Sequence, residues 1–90
     1  MHKIKLRIIY LNDEPIIFES ANIKTAEDDH TTWELCMLEP RINIHLNQSN
    51  YKFEGIDFTG KEYSGLVTYC GFKGGCLILQ GNGTLKKVNR

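Results

Sequence analysis

Cys70 and Cys76 are the residues whose type and spacing most directly suggest chemistry. They flank Gly71-Phe72-Lys73-Gly74-Gly75, between two short apolar runs, Leu66 to Cys70 and Cys76 to Gln80. Set opposite one another across a hairpin, two cysteines come within disulfide range; with two further soft ligands they would hold zinc. The other soft donors are Cys36, His2, His30 and His45, and none stands at ligand spacing from the pair. The simpler expectation is two small side chains in a crowded sheet. No metal and no cofactor is expected.

The loop between the cysteines carries Phe72 and Lys73. Its Gly-x-x-Gly pattern matches a nucleic-acid clamp only in letters, because that clamp lies between helices and this loop lies between strands. An aromatic and a lysine at a hairpin tip can instead anchor a protein partner, since aromatic side chains dominate interface energetics. Lys3, Lys5 and Arg7 form a basic row along one face of one strand. Paired with exposed aromatics such as Tyr51, Tyr63 or Tyr69, that row would suit nucleic acid; alone, it is a solvated sheet face that discourages edge pairing. Glu27-Asp28-Asp29 lacks the alternating oxygen ligands and central glycine of a calcium loop. His30, His45, Ser20, Ser49 and Ser64 have no spacing that ties them into a catalytic set.

These residues must be positioned by short strands. Ile4, Leu6, Ile8 and Tyr10 alternate with Lys3, Lys5 and Arg7, which predicts a strand with one inner face. Asn12-Asp13-Glu14-Pro15 reads as a turn, and Ile16 to Lys24 as the return strand. Setting Ile8 against Phe18 also sets Arg7 against Glu19 and Ile9 against Ile17, so both faces are consistent. Thr25 to His30 reads as an acidic loop. Thr31 to Leu38 fits a strand with Trp33, Leu35 and Met37 inward, or a two-turn helix capped by Thr31 and Glu34; the strand is favoured because so short a helix is marginal. Arg41 to Asn47 alternates with Ile42, Ile44 and Leu46 inward. Tyr51 and Phe53 share one phase, Ile56 and Phe58 the other, which predicts a bulge at Gly55. Six of the 8 glycines fall between Tyr63 and Gly83, which predicts a meander of three strands joined by tight glycine turns.

Seven or eight short strands in 90 residues predict one small all-β domain spanning the chain, mainly antiparallel, a β-barrel or tightly curved sheet. Equal numbers of acidic and basic residues, 11 of each, remove any global attraction to nucleic acid or anionic membrane. There is no apolar segment of membrane-spanning length and no signal-peptide block, and three cysteines fit a reducing, cytoplasmic setting. The function expected is therefore a non-enzymatic protein-interaction module, an adaptor or inhibitor that occupies a partner surface through Phe72 and Lys73. Open sheet edges also make self-association into a homo-oligomer an expectation. The alternatives are a nucleic-acid-binding barrel using Lys3, Lys5 and Arg7, and a small-ligand site lined by the tyrosines and Trp33.

Overall fold

The computed structural model describes residues 2–26, 29–41 and 50–88. Strands run in the order β1 His2–Leu11, β2 Glu14–Ile16, β3 Ser20–Ala26, β4 Asp29–Leu38, β5 Tyr51–Asp57, β6 Glu62–Lys73 and β7 Cys76–Val88. All pairings are antiparallel. The sheet order is β2-β1-β3-β4-β7-β6-β5, and β5 pairs back onto β1. The result is a closed six-strand barrel with β2 as one extra strand. Its spatial order β5-β1-β3-β4 is a Greek key, in which β5 returns by a long connection to lie beside β1. Closure removes the edges that β1 and β5 would otherwise expose. Among the described residues there is no helix, and so none long and apolar enough to cross a membrane.

The core follows the alternation of the strands. Leu6, Ile9, Leu11, Ile23, Leu35, Met37, Phe53, Val67, Leu77 and Leu79 are buried around Trp33 and Tyr51. Residues 31–38 form a strand throughout, with Trp33, Leu35 and Met37 inward as the alternation requires. Trp33 lies against Phe53 with ring centroids 5.7 Å apart, and its indole N–H donates to the Gly83 carbonyl at 2.9 Å. A Cβ built on Gly81 would overlap the indole, and one on Gly65 would stand 2.6 Å from Trp33 Cζ2. Neither glycine has positive φ. They are glycines because the tryptophan needs the space.

Several expectations are corrected. A bulge between Leu6 and Ile8 against β5 inverts the phase of β1, because one extra residue shifts every later side chain to the other face. Ile9 and Leu11 therefore fill the core, Ile8 is half-buried and Tyr10 lies outside. The return strand is split: β2 pairs Ile9 with Ile16, whereas β3 pairs Lys5 with Asn22. The expected register lay one residue away from each. Between the two halves the chain leaves β1, with Ile17 bridging Arg41 and the Glu19 amide donating to Leu38. The acidic loop is shorter than expected, because Ala26 already pairs with Asp29.

No bulge falls at Gly55. β5 keeps one phase from Tyr51 to Asp57, with Asp57 taking the inward place and Phe58 left outside. Gly55 gives room to the Phe53 ring, 2.7 Å from where a Cβ would stand. The closing meander is one long hairpin: the chain reverses at Gly74-Gly75, and Gly81-Asn82-Gly83 lies within β7. The strand expected from Arg41 to Asn47 lies outside the described residues after its first position.

Candidate functional site

The β6–β7 hairpin is built to hold its end still. Gly74 and Gly75 take φ of 58° and 81°, the double left-handed geometry that matches strand twist in a two-residue turn. The Glu39 amide donates to the Gly75 carbonyl at 2.9 Å, tying the turn to the end of β4. Phe72 pairs with Leu77 and is 54% exposed; Lys73 pairs with Cys76. Tyr69, three residues earlier, is also partly exposed, at 39%. A bulge between Tyr69 and Gly71 puts two residues against one and brings Tyr69 and Phe72 to the same side of the sheet as Leu79 and Leu77. The expected site residues Phe72 and Lys73 thus stand at a rigid lip.

The cysteines do not face each other. Lys73, not Cys70, is opposite Cys76, because the turn is two residues long and Cys70 sits in the bulge. All three cysteines are free. Cys36 donates its thiol hydrogen to Glu34 Oε1 at 3.2 Å. Burial first, then that bond and the nearby Glu34 charge, push the Cys36 thiol up to about 11. The thiolate is the reactive form, so Cys36 is expected to alkylate at least tenfold more slowly than exposed Cys70 at pH 8. Mass-spectrometric timing of iodoacetamide adducts checks this; equal rates would contradict the packing of Cys36.

The basic row lies on the opposite wall. β1 and β7 are three strands apart in either direction around the closed barrel. Lys3, Lys5 and Arg7 point outward, and Lys3 is directly opposite Lys24 of β3. The ion pairs of Lys52 with Asp13 and with Glu54 involve none of these four cations, and the described carboxylate directly opposite one of them is Glu34, across from Lys24. Tyr51 is buried, Tyr63 is nearly so although it lines the groove beside Lys3 and Lys5, and Tyr69 is on β6. The aromatic that does stand beside the row is Phe58, 66% exposed. Its sequence phase suggested the core, and the inward turn of Asp57 is why it is not there.

Asp57 fixes that neighbourhood. Its carboxylate accepts from the Thr59 amide at 2.8 Å, the Thr59 hydroxyl at 2.7 Å, the Lys61 amide at 3.0 Å and the Tyr63 hydroxyl at 2.9 Å. Burial works to raise its pKa, but these four donors together outweigh burial and hold it down at about 2. Burial, the Asp57 hydrogen bond and the Asp57 charge push the Tyr63 phenol up to about 12. Every oxygen of this carboxylate is engaged in shaping the β5–β6 turn. It is a bracket for the turn.

The chain matches no family model, no curated protein and no solved structure. Among the described residues, no three His, Cys, Asp or Glu side chains converge as metal ligands. Trp33 and Tyr51, expected to line a ligand site, are each 1% exposed and fill the barrel interior. His45, the His30 side chain and the acidic pair Glu27-Asp28 lie outside the described residues. Phe58 is the surface residue that sequence reasoning missed; the signal for it was Asp57 two residues before Thr59, an Asx-turn pattern.

Proposed function

We propose that the chain is a non-enzymatic binding module that occupies a surface on a protein partner through the end of the β6–β7 hairpin. The observation that carries the reading is Phe72, an exposed aromatic next to a lysine on a turn anchored from both strands and from β4. A side chain held in place before binding loses little entropy on docking, so its burial converts efficiently into affinity. Phe72 asks for an apolar pocket; Lys73 asks for a carboxylate at its rim. Tyr69 extends the same contact. A module of this kind acts as an adaptor or inhibitor by covering what it binds, and three free thiols suit a reducing cytoplasm.

Phe72→Ala is expected to weaken capture of the partner by about 30-fold or more, as for a central aromatic anchor. Lys73→Ala is expected to act mainly on the association rate and its salt dependence. The check is titration of the co-purifying protein against wild-type and variant chains whose circular dichroism and melting are unchanged. Undiminished affinity of a folded Phe72→Ala chain would remove the hairpin from the contact.

A further inference from the structure

We propose that the opposite wall, formed by the outer face of β1 and the β5–β6 turn, binds single-stranded nucleic acid. The first ground is charge. Lys3, Lys5, Arg7 and Lys24 share this face, and the ion pairs of Lys52 involve none of them. Lys3 directly opposite Lys24 is a like-charge cross-strand pair, which weakens a sheet and is relieved by a bound anion. Three described acids border this face: Glu34 of β4 stands directly opposite Lys24, Glu19 lines the groove beside Arg7, and Asp57 is held by the four donors of its turn. Other described acids are placed elsewhere. Asp13 and Glu14 lie at the far end of β1, Glu54 and Glu62 on the β5–β6 wall.

The second ground is shape. Phe58 forms a ridge between two grooves. One, about 230 Å³, is lined by Lys5, Arg7, Phe18, Glu19 and Phe58. The other, about 290 Å³, is lined by Lys3, Lys5, Phe58 and Thr59 together with Tyr63 and the turn-bracketing Asp57. An exposed ring with cations in the groove on either side can stack a base while neighbouring phosphates meet the lysines and arginine. Phe58 is presented by the turn that Asp57 brackets with four hydrogen bonds, so the platform exists before the ligand arrives. A double helix keeps its bases stacked on each other and offers no free ring face to Phe58. An acidic protein or an anionic membrane would also use the cations and could bury the ring, but cations in a groove on each side of one ring match a stacked base with its flanking phosphates.

The test is fluorescence anisotropy with a labelled ten-nucleotide oligothymidylate and its ribo-uridylate counterpart across a salt series. Saturable binding is expected, with log affinity falling against log salt at a slope of about −2 to −3 for three or four phosphates. Phe58→Ala should weaken binding about 5- to 100-fold at every salt concentration and leave the slope unchanged. Lys5→Ala should flatten the slope by about 0.7. Phe72→Ala should leave oligonucleotide binding intact, which separates this wall from the hairpin. No binding, binding indifferent to Phe58→Ala, or preference for a duplex or for phosphatidylserine vesicles over the oligonucleotide would each overturn the proposal.

Discussion

Trp33→Ala is expected to lower the free energy of unfolding by about 3–5 kcal/mol, the range for removing a large aromatic from a packed core. The indole is 1% exposed, contacts Phe53, and donates to the Gly83 carbonyl. Its removal leaves a cavity where β4, β6 and β7 meet, together with a carbonyl that has lost its donor. For a domain of this size total stability is on the order of 5–15 kcal/mol, so the variant would sit near or below the folding threshold. The complementary change is milder and more diagnostic. Gly81→Ala puts a methyl group into the space of the indole, and overpacking of that kind costs about 1–3 kcal/mol. Trp33 is the one tryptophan, so its fluorescence reports the Gly81→Ala transition directly, and circular dichroism serves for Trp33→Ala. A loss below about 1 kcal/mol for Trp33→Ala would show that the barrel is not built around this residue.

Asp57→Ala is expected to cost about 2–4 kcal/mol at neutral pH, because hydrogen bonds to a charged acceptor are the strong ones and four donors lose theirs together. The wild-type contribution also has a definite pH window. The carboxyl titrates at about 2 in the fold and near 3.9 in an unfolded chain. Between those values the unfolded state binds more protons, so the contribution is complete above about pH 4 and drains away as pH falls through 2. The difference between the two pKa values corresponds to about 2–3 kcal/mol. At the alkaline end Tyr63 behaves in the mirror sense. Its folded pKa, about 12, lies above the usual phenol value near 10, so its contribution is intact below pH 10 and lost as pH rises through 12. Urea unfolding of wild type and Asp57→Asn between pH 2 and 7 separates this term from the other acids. The two curves should converge toward pH 2; parallel curves would contradict the bracket.

How much of this was legible in the sequence differs from strand to strand. Trp33, Leu35 and Met37 alternate without interruption, and a strand that long with one apolar face has one way to lie. The all-β class and barrel curvature followed from many strands of that kind in a short chain. Ile8 to Leu11 were not legible, because a bulge adds a residue without changing composition, and the phase of everything after it inverts. The same one-residue sensitivity explains why a register that satisfied both faces between Ile8 and Phe18 lay between the two that form. Gly81 was read as a turn glycine, and Gly65 was counted with it among the glycines of the closing meander, but the φ they adopt is ordinary. What required them is an indole arriving from a strand more than thirty positions away in sequence. Phe58 was hidden for the opposite reason: its hydrophobicity argued for burial, while the hydrogen-bonding capacity of Asp57 took the inward place and turned Phe58 out.

The candidate surfaces divide along the same line. Phe72 and Lys73 were visible because a glycine pair marks the turn they flank. Lys3, Lys5 and Arg7 were visible as an alternation, but their setting was not. It took the fold to put Lys24 beside Lys3 and Phe58 beside Lys5. The barrel thus carries two separate candidate surfaces, an aromatic lip at the β6–β7 hairpin and a cationic face on β1.

Replacing Phe72 with a photo-crosslinking phenylalanine analogue tests the central claim most directly, with the same analogue at Lys87 on exposed β7 as the control. Irradiation in the source cell, followed by denaturing purification, should give one protein adduct of fixed mass from position 72 and none from position 87. Adducts of equal yield at both positions, or none at position 72, would contradict docking through the hairpin.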